Sequence, residues 1–127
     1  MRTLAPPDAR DWEARARWFW AAHDANAGPA PLDLDARREA LLGDLEISFC
    51  AGAWGAVVLL VWSLVEPVDR AREARAEPPS PDLDWLRERR NALAHGAAGA
   101  AAAEPGREEA EGAVRVAFRQ LFAEAWR

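Results

Sequence analysis

From Ile47 to Val65 the chain carries no charged residue. That run constrains the fold more than any other feature. Unbroken, it is close to the shortest length that crosses a bilayer as a helix, about 20 residues. Gly52 and Gly55 interrupt it, however, and Gly52 is a credible helix stop. The run then reads as two shorter buried helices joined by a turn. The remaining helical patterns are amphipathic and need an apolar centre to pack on, and only this run can supply one. An all-α bundle of about five helices is expected, forming one domain over residues 1–127. A small membrane-anchored protein is the rival reading of the same run.

Breakers divide the rest of the chain. Pro6-Pro7 leads into a first helix over residues 8–26, with Asp8 as a plausible cap and Asp11 and Glu13 at the positive end. Trp12, Ala16, Phe19 and His23 form its stripe, broadened by Trp18 and Trp20. Such a density of tryptophan implies packing on the bundle or on another subunit. His23 reads as a packing residue. After Gly28-Pro29-Ala30-Pro31, Asp33 or Asp35 caps a second helix over residues 36–51. Trp54 opens a third, which runs at least to Glu66; Pro67 predicts a kink or an end there. Val68 to Ala76 alternates acids with arginines and reads as a solvated helical extension. Pro78-Pro79-Ser80-Pro81 is a strong break, and Ser80 or Asp82 caps a fourth helix. Gly96 to Gly106 is a small-residue loop, and a fifth helix follows over residues 107–125 with the stripe Val114, Ala117, Leu121 and Ala125, flanked by Phe118, Phe122 and Trp126.

The fourth helix holds the one concentration of polar residues suited to chemistry. Leu83, Leu86 and Leu93 define its apolar stripe, and the position that completes the stripe is Arg90. Arg90 is therefore expected to point inward or towards a partner on that face. Asn91 and His95 lie four apart and share an edge, and Gly96 offers a left-handed cap beyond them. One reading is structural: Arg90 satisfies a buried carboxylate and His95 caps helix-end carbonyls. The other is a site.

The run Arg90-Asn91-Ala92-Leu93-Ala94-His95 resembles the signature of HEPN domains, an Arg usually followed by Asn with a His about a turn further on. Upstream, Leu45 to Glu66 is similar to the family's two central helices: an Ala-Gly-aromatic turn (Ala51-Gly52, then Trp54), and an apolar helix ending in Glu. Gly52 and Gly55 fall where the family turn falls. The likeness covers roughly residues 36–96. It implies a HEPN-like two-fold homodimer acting as a metal-independent endoribonuclease, of the toxin or anti-phage class, on an RNA substrate. The ribose 2′-hydroxyl would be the nucleophile. His95 suits the base or acid role because imidazole titrates near neutrality. Arg90 suits stabilisation of the charge developing on the phosphoryl oxygens. Asn91 would orient either group, and Glu66 or Glu46 would orient Arg90. Arg87 and Arg89, with Arg70, Arg72 and Arg75, are candidates for an RNA-binding groove. The alternative within the same family is an inactive dimerisation or partner-binding module whose Trp-rich first helix docks a partner. Some family toxins carry a tyrosine two residues after the histidine for modification by a partner enzyme; here Ala97 stands there and the chain has no tyrosine. Another antitoxin or defence-system partner remains open.

Composition bounds these readings. The net charge is −5, which argues against general coating of nucleic acid but leaves room for a local basic groove. Cys50 is the only cysteine, so no intramolecular disulfide can form. No cluster with metal-ligand spacing surrounds it or either histidine, so neither a metal nor a cofactor is expected. The absence of a basic-then-apolar leader pattern at the N-terminus favours a cytoplasmic location.

Overall fold

The computed structural model describes residues 6–95 and 104–125. These residues form five α-helices: α1 (Ala9–Asn26), α2 (Ala36–Ala51), α3 (Trp54–Ala74), α4 (Pro81–His95) and α5 (Arg107–Ala125). Local chemistry sets the ends. Asp8 accepts from the Asp11 amide at 2.8 Å and Asp35 from the Arg38 amide at 2.8 Å, each capturing a free N–H of a first turn. Gly52 adopts φ 78°, and the amides of Gly52 and Ala53 return to the carbonyls of Phe49 and Ser48. This left-handed stop splits the uncharged run, as the glycine predicts. Ser80 Oγ accepts from the Leu83 amide at 3.4 Å, and Pro81 takes the first helical position, where an N–H has no intrahelical partner anyway.

α3 is the hub. It packs on α2, α4 and α5, while α1 bridges α2 and α5. The core joins Phe19 of α1, Leu45 and Phe49 of α2, Val57, Val61 and Val65 of α3, Leu83 and Leu86 of α4, and Val114 and Phe118 of α5. No helix of the described residues is long and apolar enough to cross a membrane. His23 packs edge-on against Phe118 and Phe122, with ring centroids 5.4 and 5.1 Å away.

Pro67 does not end α3, which runs on to Ala74, so of the kink or end expected there the end is not found. It lies on an exposed face, and the carbonyl it leaves without an i+4 donor belongs to Ser63, which is itself only partly buried. Nor is the segment beyond it merely solvated. Val68 is 4 % exposed, so burial carries the helix past the proline. The chain then turns through Ala76, a non-glycine residue at φ 54°, with the Glu77 amide bonded to the Arg72 carbonyl at 3.0 Å. The N-terminal tryptophans are split in role. Trp18 stacks on Phe49, whereas Trp12 and Trp20 are 38 % and 40 % exposed. Gly96, Ala97 and Trp126 lie outside the described residues.

Candidate functional site

α4 runs antiparallel to both α3 and α5. Arg87 bonds Asp69 in the last turns of α3, Arg89 bonds Glu109 at the start of α5, and Asp82 meets Arg119 near the end of α5. This arrangement carries Arg90, Asn91 and His95 towards the end of the bundle where α5 begins. Leu83 and Leu86 are fully buried, but Leu93 and Arg90 are only half-buried and His95 is exposed. The apolar stripe therefore anchors the first half of α4 and loosens towards its polar end.

Arg90 donates from Nη1 to Asn91 Oδ1 at 3.0 Å. No carboxylate partners it among the described residues. Neither Glu66 nor Glu46 contacts Arg90 within the chain. Glu66 pairs with Arg70, its neighbour one helical turn on, and Glu46 accepts from Trp20 Nε1 at 2.9 Å. The Glu66–Arg70 spacing was a legible competitor, since carboxylates and arginines four apart on a helix face each other. The indole–carboxylate bond between α1 and α2 had no local signal.

The arginines expected to line an RNA groove are also committed elsewhere. Arg87 bonds Asp69, has Glu73 and Asp84 within 3.7 and 3.6 Å, and lies over the Trp62 ring. The hydrogen bond to Asp69 raises its already high pKa, with the surrounding acids adding to the effect. Arg89 spans to α5 with Nε and Nη2 on the two oxygens of Glu109, at 2.9 and 3.1 Å, its side chain 15 % exposed. Arg72 and Arg75 share Glu77. In a chain with an acidic balance these guanidiniums find carboxylates before any phosphate does. Arg87 and Arg89 tie α4 to α3 and α5, whereas Arg72 and Arg75 pair with an acid in the turn that follows α3.

Cys50 is buried at the end of α2. Burial pushes its thiol up from the ordinary 9.0, Glu46 adds to the rise and Arg15 opposes it. It is a core thiol rather than a nucleophile. Among the described residues no three His, Cys, Asp or Glu side chains are placed to hold a metal ion together.

The fold and this helix end define an all-α bundle with a half-buried Arg90 and exposed Asn91 and His95 towards the end of a peripheral helix. No family model matches the chain, and no curated protein and no solved structure matches it either.

Proposed function

We propose that this chain is a HEPN-type, metal-independent endoribonuclease that works as a homodimer, a cytoplasmic toxin or anti-phage effector held in check by a partner protein. Arg90 and His95 are its catalytic residues, and Asn91 positions Arg90. One observation carries the reading. On a helix whose other two arginines, Arg87 and Arg89, are both neutralised by acids, Arg90 alone has no acid partner among the described residues. It is half-buried, held by a neutral amide, and lies on the same helix end as an exposed histidine. A guanidinium kept free of carboxylates retains its donors for a phosphate.

In this reaction the ribose 2′-oxygen attacks phosphorus, its proton passing to a base, while the bond to the 5′-oxygen breaks and that oxygen receives a proton from an acid. Two copies of His95 across a two-fold axis supply base and acid. Arg90 meets the charge that grows on the non-bridging oxygens. The products are a 2′,3′-cyclic phosphate and a 5′-hydroxyl. The test is cleavage of a mixed RNA pool in EDTA with mapped ends, by wild type, Arg90→Ala and His95→Ala. Wild type alone should cut and leave those ends; cleavage by either folded variant refutes the assignment.

A second reading is a non-catalytic partner-binding module, and the exposure of Trp12 and Trp20 on α1 favours it. Absence of cleavage by all three proteins, each folded and dimeric, would select it.

A further inference from the structure

Phe49 is fully buried near the end of α2, and three arginines are arranged around it by aromatic faces. Arg15 lies over the Trp54 ring at 5.2 Å, Arg107 over Phe49 itself at 5.9 Å and Arg115 over Trp18 at 5.1 Å. Trp18 stacks on Phe49 at 4.9 Å and 17°, and Trp54 meets it edge-on at 5.3 Å. The three guanidiniums, from α1 and α5, thus share one aromatic support.

Two of the three, Arg15 and Arg115, differ electrostatically from Arg87 and Arg89 of α4 in having no acid partner among the described residues. Arg15 gives one hydrogen bond, from Nη1 to the Cys50 carbonyl at 3.0 Å. Arg115 is exposed and has no acid partner among the described residues. Arg107 reaches Glu111 at 3.4 Å. Where no acid stands alongside, as for Arg15 on Trp54 and Arg115 on Trp18, the indole orients the guanidinium without neutralising it. The in-plane N–H donors of such a group stay open to a phosphate, and its outer plane can accept a stacked base. Beyond Arg115, a shallow cleft of about 130 Å³ between α1 and α5 is lined by Ala22, Ala25, Asn26, Arg115 and Arg119. Its small side chains leave room beside two cationic groups. The α5 end of this surface, at Arg107, begins where the Arg89–Glu109 bond brings the C-terminal turns of α4 alongside.

We propose that Arg15, Arg107 and Arg115, on their Trp54–Phe49–Trp18 support, form a binding surface for single-stranded RNA. Phosphates take the guanidinium edges, and bases stack on the guanidinium planes. The choice of RNA as ligand rests on the nuclease reading; the cationic-aromatic surface does not.

The test uses the full chain carrying His95→Ala, so that the probe survives, and a labelled single-stranded oligouridine followed by anisotropy across a salt series. Arg115→Glu, at an exposed position, and the double variant Arg15→Gln/Arg115→Gln should each weaken binding about tenfold or more at low salt. The double variant should also flatten the slope of log affinity against log salt by about 1.4, for two lost phosphate contacts on a single strand. Arg115→Lys should restore only part of the affinity, since an ammonium has no plane to stack. Unchanged affinity and slope in folded variants overturns the surface, as does failure of the parent to bind oligouridine, or equal affinity for duplex RNA. RNA cleavage by wild type with undiminished binding by the arginine variants would remove this surface and leave the nuclease standing. Binding that depends on these arginines, without cleavage by wild type, would do the reverse.

Discussion

Arg89→Met separates a strut from a ligand contact. The substitution keeps the aliphatic stem and removes the guanidinium. In the native chain that group meets both oxygens of Glu109 at 2.9 and 3.1 Å, with the two side chains 15 % and 27 % exposed. At about 3 Å and an effective dielectric of about 20, the gross attraction is about 5 kcal/mol. Desolvation of both groups and ordering of a long side chain offset most of it. The pair lies between an exposed ion pair, worth about 0–1 kcal/mol, and a fully buried one, whose disruption costs about 3–5 kcal/mol. A loss of about 1.5 kcal/mol is expected, much of it from leaving the Glu109 carboxylate half-buried without its partner. For a domain of 127 residues that lowers the melting temperature by about 5 °C. Urea denaturation should show an unchanged slope and a lower midpoint. Adding Glu109→Gln should recover part of the loss, because the stranded charge goes with it. Affinity for oligouridine, corrected for folded fraction, should be unaltered. Unchanged stability together with weaker RNA binding would refute the argument and return Arg89 to the groove that the sequence suggested.

Two glycine-related substitutions should act with opposite signs. Gly52→Ala is expected to cost about 1 kcal/mol or more by urea denaturation, since φ 78° disfavours a side chain and the new Cβ would lie 3.1 Å from Arg15 Nη1. Ala76→Gly should stabilise by up to about 1 kcal/mol by relieving the left-handed conformation at φ 54°; a loss of stability would show that the Ala76 methyl contributes packing that outweighs it. Alkali should also destabilise the fold through Cys50. Its folded thiol pKa is raised above the ordinary 9.0, so the unfolded chain releases the proton first. The associated stability is complete below about pH 9 and declines as pH rises from there through the folded pKa. Comparing urea midpoints at pH 8 and pH 10 for wild type and Cys50→Ala checks this, and an equal alkaline loss in both proteins would count against it.

The helix plan was legible because its punctuation is chemical and local. Asp8, Asp35, Gly52 and Ser80-Pro81 each act within a few residues, and each lies at a helix boundary. Pro67 left the helix end undecided for the opposite reason. Its effect depends on which face it occupies, and that is settled by Val68 finding a buried place beyond it. Leu83 and Leu86 were readable as core from spacing, but the same stripe overstated the burial of Arg90, because α4 touches α5 only thinly and its last turns lose cover.

The polar site was legible in its residues and not in their partners. A net charge of −5 describes the whole chain, yet it is the placement of acids that decides which arginines can meet a phosphate. Asp69 and Glu109 lie 18 and 20 residues from the arginines they bond, on helices that only the tertiary fold brings alongside α4. Counting arginines along α4 therefore selected Arg87 and Arg89, the two of its three that the fold pairs with acids. Arg15 and Arg115 stand a hundred positions apart in sequence and have no motif in common. They are brought into one array by Trp54 and Trp18 packing on the same buried ring, and what separates them from Arg87, which also lies over an indole, is that Arg87 has Asp69 beside it. Acids paired both within helices and across them leave Arg90 beside a neutral amide and Arg15 and Arg115 on indole faces. On this argument, reversing an acid strut such as Asp69 changes stability, while altering the indole-held arginines changes what the protein binds.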